Sequence, residues 1–170
     1  MDLGLLIVRL VVGITLAAHG SQKLFGWFGG GGIAGTAPFF EQLGFRPSRL
    51  HAALAGITET AGGLLLAAGL FTPLAAAALI GTMVVAVGSV HWGKGFFLST
   101  GGLEYNLVLG ASALGIAFTG PGALSLDTAL GIPWSGAPSG LVALLLGVLG
   151  GAAELLTRKP LPATSAQQAA

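Results

Sequence analysis

Long apolar segments, separated by short polar or glycine-rich stretches, dominate the chain. A helix needs about 20 residues to cross roughly 30 Å of hydrocarbon, and four continuous apolar segments are predicted to be spans. A fifth has about 16 apolar residues, and Ser139 and Gly140 can extend it; the alternative there is an interfacial or re-entrant helix. The pattern predicts an all-α, polytopic transmembrane bundle with a four-helix core and a fifth, C-terminal membrane helix. The segments are Leu3 to about Leu24, Ala52 to Leu70, Leu74 to Val90, Tyr105 to Thr119 and Leu141 to Leu156.

Composition agrees with a chain that lies in a bilayer. Hydrophobic residues make up 54% of the sequence and charged residues 8%, against about 25% charged residues in soluble domains. The net charge of +1 and the absence of a long basic run argue against a nucleic-acid partner. The sequence contains no cysteine, which excludes disulfides and thiolate metal sites. Asp2 stands where a secretory signal would be basic, so the first segment is expected to be retained as a helix.

Basic residues beside the predicted spans set the expected orientation. Lysine and arginine favour the cytoplasmic side of a membrane. With the N-terminus outside and the C-terminus inside, every flanking basic residue lies in the cytoplasm. This alternation works best if the fifth segment crosses, which supports that span independently. The residues are Lys23, Arg46, Arg49, Lys94, Arg158 and Lys159.

The connection from Gly29 to Leu50 is long enough to hold its own helix. Thr36 can cap that helix, Pro38 suits its first turn, and Gly44 can end it. We expect a short helix in the membrane interface. Its apolar ridge consists of Phe39, Phe40 and Leu43.

Two charged residues lie inside apolar segments, Arg9 in the first and Glu59 in the second. Charges within a membrane face the bundle interior and find partners. Glu59 shares its helix face with alanines and glycines, which predicts that it points into the bundle. The expected difference in depth is roughly 10 Å or less at 1.5 Å per residue, so we predict an Arg9–Glu59 ion pair. Both a structural and a functional role for this pair stay open.

Further polar residues converge on the predicted cytoplasmic ends of three helices. They can surround a ligand pocket that opens toward the cytoplasm, with Glu59 as its floor, or they can form an ordinary interfacial belt anchored by Trp27 and Trp92. No residue is assigned a catalytic role, and no ligand spacing indicates a metal site. His51, beside Arg49, is expected to be solvated. The pocket candidates are His19, Gln22, Lys23, Glu59, His91, Glu104 and Tyr105.

Small residues recur at four-residue spacing, which allows helices to approach closely in lipid. Gly147 and Gly151 form one such pair, and Ala52, Gly56 and Thr60 continue the spacing on the second span. With 30 glycines in the chain, we interpret these spacings as intramolecular packing, and a homo-oligomer stays open.

The order of several motifs resembles that of the DoxX family of small bacterial membrane proteins. The resemblance covers about Leu3 to Asp127, and the histidine-containing and proline-containing motifs are its most specific parts. The motifs are R-L-V-V-G from Arg9, H-G-S-Q-K-L-F-G from His19, E-T-A-G-G-L-L-L-A-A-G-L-F-T-P from Glu59, G-G-L-E-Y-N-L from Gly101 and G-P-G-A-L-S-L-D from Gly120.

This resemblance implies a four-helix membrane domain at residues 1–127. The connection and fifth helix at 128–157 are predicted from the apolar pattern instead, since the segment from Gly140 onward lies beyond the resemblance, and the composition of the tail at 158–170 predicts disorder. The resemblance also implies the bacterial cytoplasmic (inner) membrane. Some members of the family are associated with quinone-linked sulfur oxidation and others with oxidant defence. The leading hypothesis is a membrane subunit of an oxidoreductase system that binds a quinone and works with soluble redox proteins. The alternatives are a non-catalytic scaffold or assembly factor and, third, a small-molecule transporter.

Overall fold

The computed structural model describes residues 2–159, and between them the chain forms α-helices and no strand. Short 3₁₀ turns occupy Trp27–Gly29 and Leu98–Thr100, and a π-helical turn, Val87–His91, continues the fourth helix. The α-helices are α1 (Asp2–Phe25), α2 (Gly32–Gln42), α3 (Ser48–Ala68), α4 (Thr72–Ala86), α5 (Glu104–Thr119), α6 (Leu126–Ala129) and α7 (Gly136–Leu156).

Four long helices form a ring in which each packs against its neighbours: α1 on α3, α3 on α4, α4 on α5 and α5 on α1. The fifth long helix, α7, lies outside this ring in the groove between α4 and α5. Helix α2 packs across α3 and α1. The predicted four-helix core with a fifth C-terminal helix is therefore confirmed.

Four of the described helices are long and apolar enough to cross a membrane: α1, α3, α4 with its π-helical turn, and α7. Helix α5, with 16 residues, is shorter than each of these four spans. The sequence predicted α7 to be the short helix, which is wrong because α7 begins at Gly136 rather than Leu141. Its first turn contains Pro138, and proline is well tolerated there because the first turn has no intrahelical acceptor for its backbone nitrogen.

Glycines allow the helix pairs to pack with their backbones in contact. A Cβ added at Gly13 would collide with the carbonyl of Gly63, and one added at Gly20 would lie 2.5 Å from the carbonyl oxygen of Gly56. At the α4–α7 contact, a Cβ added at Gly151 would lie 2.8 Å from the carbonyl oxygen of Gly81. The small-residue spacings thus serve contacts within the chain.

The connection before α3 and the end of α7 lie at the same end of the bundle. Arg158 Nε donates to the carbonyl of Leu43 at 2.9 Å, and the backbone N–H of Lys159 donates to Gly44 at 2.8 Å. The tail at 158–170 was predicted to be disordered. This is wrong for Arg158 and Lys159, because both form hydrogen bonds with the connection before α3. Residues 160–170 lie outside the described residues. The predicted boundary at 127/128 falls within α6.

Helix α2 differs from its prediction at the N-terminal side. Gly29 and Gly32 adopt φ values of +80° and +62°, which turn the chain sharply and start the helix at Gly32. Thr36 therefore lies inside the helix and does not cap it, and Pro38 also lies within it. The helix ends at Gln42, two residues before the predicted end at Gly44.

Candidate functional site

A buried ion pair between α1 and α3 lies at the centre of the candidate site. Lys23 Nζ donates to Oε2 of Glu59, and the side chains are 25% and 7% exposed. Glu59 points into the bundle, as its small-residue helix face predicted. Its partner was predicted wrongly, because the structure pairs it with Lys23 and not with Arg9.

The register of α1 against α3 explains why Arg9 and Glu59 do not meet. Gly13 packs on Gly63 and Gly20 packs on Gly56, which places Arg9 level with about residue 67 of α3. That level is roughly eight residues, about 12 Å, from Glu59 along the helix axis.

Arg9 instead fixes the connection after α5. Its side chain is buried at 1% exposure and donates to the carbonyls of Pro121 and Leu124, the latter at 2.5 Å. The carboxylate of Asp127, fully buried nearby, accepts from the backbone N–H groups of Phe71 and Thr72 at 2.8 and 2.9 Å. It also accepts from the Thr72 hydroxyl at 2.7 Å. Arg9 and Asp127 together therefore join α1, the start of α4 and the connection after α5.

A cavity of about 610 Å³ lies between α3, α4 and α7 beneath α2. Its walls are mostly apolar, and the predicted apolar ridge of Phe39, Phe40 and Leu43 lines it on the side of α2. An apolar cavity with a few convergent polar groups is the usual form of a small-molecule site. The polar lining residues are Lys23, Thr58, Glu59, Thr82, Ser89, His91 and Glu154, and the apolar ones include Phe39, Phe40, Leu43, Val85 and Leu146.

The cavity opens along the side of the bundle. Leu54 on α3 and Leu146 on α7 both line it and are 45% and 50% exposed. Both lie within membrane-length helices, away from the helix ends. The opening is therefore on the side of the helices and not at their ends.

The structure brings three of the predicted pocket residues, Lys23, Glu59 and His91, to this cavity. His19 lies on another part of the bundle, where its Nε2 is 3.3 Å from the hydroxyl of Tyr105 across the α1–α5 contact.

Two further pocket candidates, Gln22 and Glu104, do not line the cavity either. Gln22 donates to the carbonyl of Phe28 at 3.1 Å, and Glu104 starts α5. The predicted single ring of polar groups is therefore divided between two faces, because residues at one depth point in different directions around their helices.

Glu154 on α7 is a cavity residue that the sequence reasoning missed. Its Oε1 lies 2.5 Å from Nδ1 of His51, whose side chain is 7% exposed and packs its ring on Phe45 at 5.3 Å between centroids. The predicted solvation of His51 is thus wrong, since α7 covers it. The signal was present in the sequence, because Glu154 is an acid in an apolar helix just as Glu59 is.

His91 is presented by the π-helical turn that ends the α4 span. Its Nδ1 lies 2.6 Å from the carbonyl oxygen of Gly101. Such turns break the regular helix direction and occur frequently at functional sites. Here the turn lets His91 reach both the cavity and the connection before α5.

These features define a multi-pass α-helical membrane protein with a laterally open, amphipathic cavity. Comparison with known proteins identifies its family: the DoxX family model matches residues 4–92, and the chain belongs to that family. A protein of Bacillus subtilis (strain 168) named "Putative oxidoreductase CatD" is 30% identical over 126 residues, which are 74% of this chain and 86% of that protein. No solved structure matches the chain significantly.

Proposed function

We propose that the protein is a quinone-binding membrane component of an oxidoreductase system and that the cavity is its binding site. The observation that carries this proposal is the burial of the Lys23–Glu59 pair at the wall of a large apolar cavity. A quinone has an apolar tail and a polar ring, so it fits a cavity with mostly apolar walls and a few ionisable groups.

The side opening supports a ligand that reaches the site from the membrane. Leu54 and Leu146 line the cavity on an exposed side of two membrane-length helices. On this proposal that side meets the lipid, in which a quinone with an isoprenoid tail dissolves. A water-soluble substrate gains nothing from an entrance on this side.

The name of the B. subtilis relative supports an oxidoreductase system of some kind. In the proposed system, soluble redox proteins supply the electrons, and Glu59 exchanges protons with the bound ring. The proposed settings are sulfur oxidation or oxidant defence in the bacterial inner membrane.

The proposal is tested by titrating the protein in lipid nanodiscs with a decyl-substituted benzoquinone and measuring binding by calorimetry. Gly150→Phe should abolish binding, because Gly150 lines the cavity and an added Cβ there meets no atom within 4 Å. Gly115→Phe is the matched control: it is also free of contacts within 4 Å, but lies on the exposed face of α5. If the wild type bound no quinone, or if Gly150→Phe bound it normally, a scaffold role without a bound ligand would replace this proposal.

A further inference from the structure

Two of the three hydroxyl groups that line the cavity, those of Thr82 and Ser89, are already committed as donors. Thr82 Oγ1 donates to the carbonyl of Ala78 at 3.0 Å, and Ser89 Oγ donates to Val85 at 2.6 Å, each one turn earlier on the α4 span. A hydroxyl has one proton and two lone pairs. Toward a ligand, these two oxygens therefore act as acceptors.

His91 also presents an acceptor when its ring is neutral. The carbonyl of Gly101 can only accept, so the Nδ1 atom that lies 2.6 Å away carries the ring proton. The remaining nitrogen, Nε2, then has a free lone pair.

The two carboxylates of the cavity complete this pattern. Each is bound to a basic group through one oxygen, Glu59 to Lys23 and Glu154 to His51. Among the described lining residues, Lys23 is the cationic donor, and one of its three N–H groups is bound to Glu59. An ionised carboxylate only accepts hydrogen bonds. The remaining free donors are the Thr58 hydroxyl and two N–H groups of Lys23, so the polar lining offers more acceptors than free donors.

We propose that the cavity favours the reduced, hydroxyl-bearing form of its quinone over the oxidised form, and that Glu154, held by His51, is the main acceptor for a ligand hydroxyl. This inference rests on the proposed function. A hydroquinone donates hydrogen bonds through its hydroxyl groups, whereas a quinone offers only carbonyl acceptors, which leave acceptors of the cavity unmatched.

Helix α7 has a specific part in this preference. Glu154 lies beyond residues 4–92, the part of the chain that the family model matches. The Glu154 side chain is 30% exposed. Arg158, one turn later, donates hydrogen bonds to the carbonyls of Leu43 and Gly88, which fixes the end of α7 against the end of α2 and the α4 span. The last turn of α7 thus holds the acceptor in place at the cavity wall.

The test compares the binding of decyl-benzoquinone and of its chemically reduced hydroquinone to the protein in nanodiscs. We expect the wild type to bind the hydroquinone about tenfold more tightly, the difference that one charge-assisted hydrogen bond gives. Glu154→Gln should lose about tenfold in hydroquinone affinity and change quinone affinity by less than about twofold. Glu41→Gln is the matched control, since Glu41 forms an exposed pair with Arg46 at 3.8 Å and does not line the cavity.

A second measurement does not depend on any variant folding. Tighter binding of the reduced form raises the midpoint potential of the bound couple, by about 30 mV for each tenfold preference. Spectroelectrochemical titration of the wild type with bound decyl-benzoquinone should show this rise. Equal or weaker hydroquinone binding, or an unshifted potential, would overturn the inference and leave the proposed function intact. Normal hydroquinone affinity in folded Glu154→Gln would also overturn it, and binding of neither form by the wild type would overturn both.

Discussion

Lys23 and Glu59 form an ion pair that joins α1 to α3 at the wall of the cavity. The carboxylate is buried and the lysine is three-quarters covered, so removing either partner leaves the other charge poorly solvated. The pair is therefore both a packing contact between two helices and the group that gives the apolar cavity its polarity.

We predict that Lys23→Met and Glu59→Gln each destabilise the protein by about 3 kcal/mol, because each leaves a partly or fully buried charge without its partner. The double variant should recover part of the loss. Thermal unfolding in detergent, evaluated as a double-mutant cycle, measures this coupling. The exposed Glu41→Gln variant should unfold like the wild type. Strictly additive losses for the two cavity residues would contradict the contact.

Replacement of Arg9 is predicted to destabilise the bundle without coupling to Glu59. Arg9→Met leaves the carbonyls of Pro121 and Leu124 and the carboxylate of Asp127 without their cation, which should cost about 3 kcal/mol or more.

Arg9→Lys should recover only part of this loss, because a single ammonium group cannot reproduce the fork that reaches two carbonyls. Combined with Glu59→Gln, the loss of Arg9→Met should add within about 0.5 kcal/mol, as measured by the same unfolding assay. Strong coupling between the two variants would contradict the observed helix register.

The contact between α1 and α3 predicts different effects for two glycines on one helix. Gly13→Ala should cost about 1 to 3 kcal/mol, because the new methyl group collides with the backbone of α3. Gly4→Ala meets no atom within 4 Å and should be neutral or stabilise by up to about 1 kcal/mol, because alanine favours the helix. Equal unfolding temperatures for the two variants would show that the helices do not approach as closely as described.

The orientation of the protein in the membrane is a prediction from its basic residues. Lys94 lies at the same bundle end as the last turn of α7, whereas Gly131 lies in the connection between α6 and α7 at the other end. Because the sequence has no cysteine, single cysteines at these positions can be labelled selectively in intact cells.

A membrane-impermeant maleimide should label Gly131→Cys in intact cells and should label Lys94→Cys only after lysis. The reverse pattern would place the N-terminus inside. Labelling of both positions from outside would contradict a bundle whose two ends lie on opposite sides of the membrane.

The sequence predicted the helices well because a membrane span must satisfy its backbone internally, which leaves a long apolar run few structures other than a helix. It also predicted that Glu59 points inward, because small residues share its face. It could not predict the partner of Glu59. Partner choice depends on the axial register of α1 and α3, and that register is set by which glycines meet.

The contribution of α7 to the site was harder to predict for a different reason. His51 and Glu154 are 103 residues apart, and nothing local to either residue indicates the other. His51 lies near the start of α3, where a histidine would ordinarily be hydrated. Only the packing of α7 along α4, fixed by Gly147 and Gly151, brings Glu154 over it.

The position of the cavity opening, between Leu54 and Leu146, has a consequence for how binding must be quantified. A ligand that enters from the hydrocarbon is supplied by partitioning, so occupancy follows its mole fraction in the lipid and not its concentration in water. At a fixed total amount of ligand, adding lipid dilutes it within the bilayer and lowers occupancy, although the protein is unchanged. On the proposed route, acyl chains of the surrounding lipids meet the same entrance as the ligand, so the composition of the bilayer becomes one of the variables that set the apparent affinity.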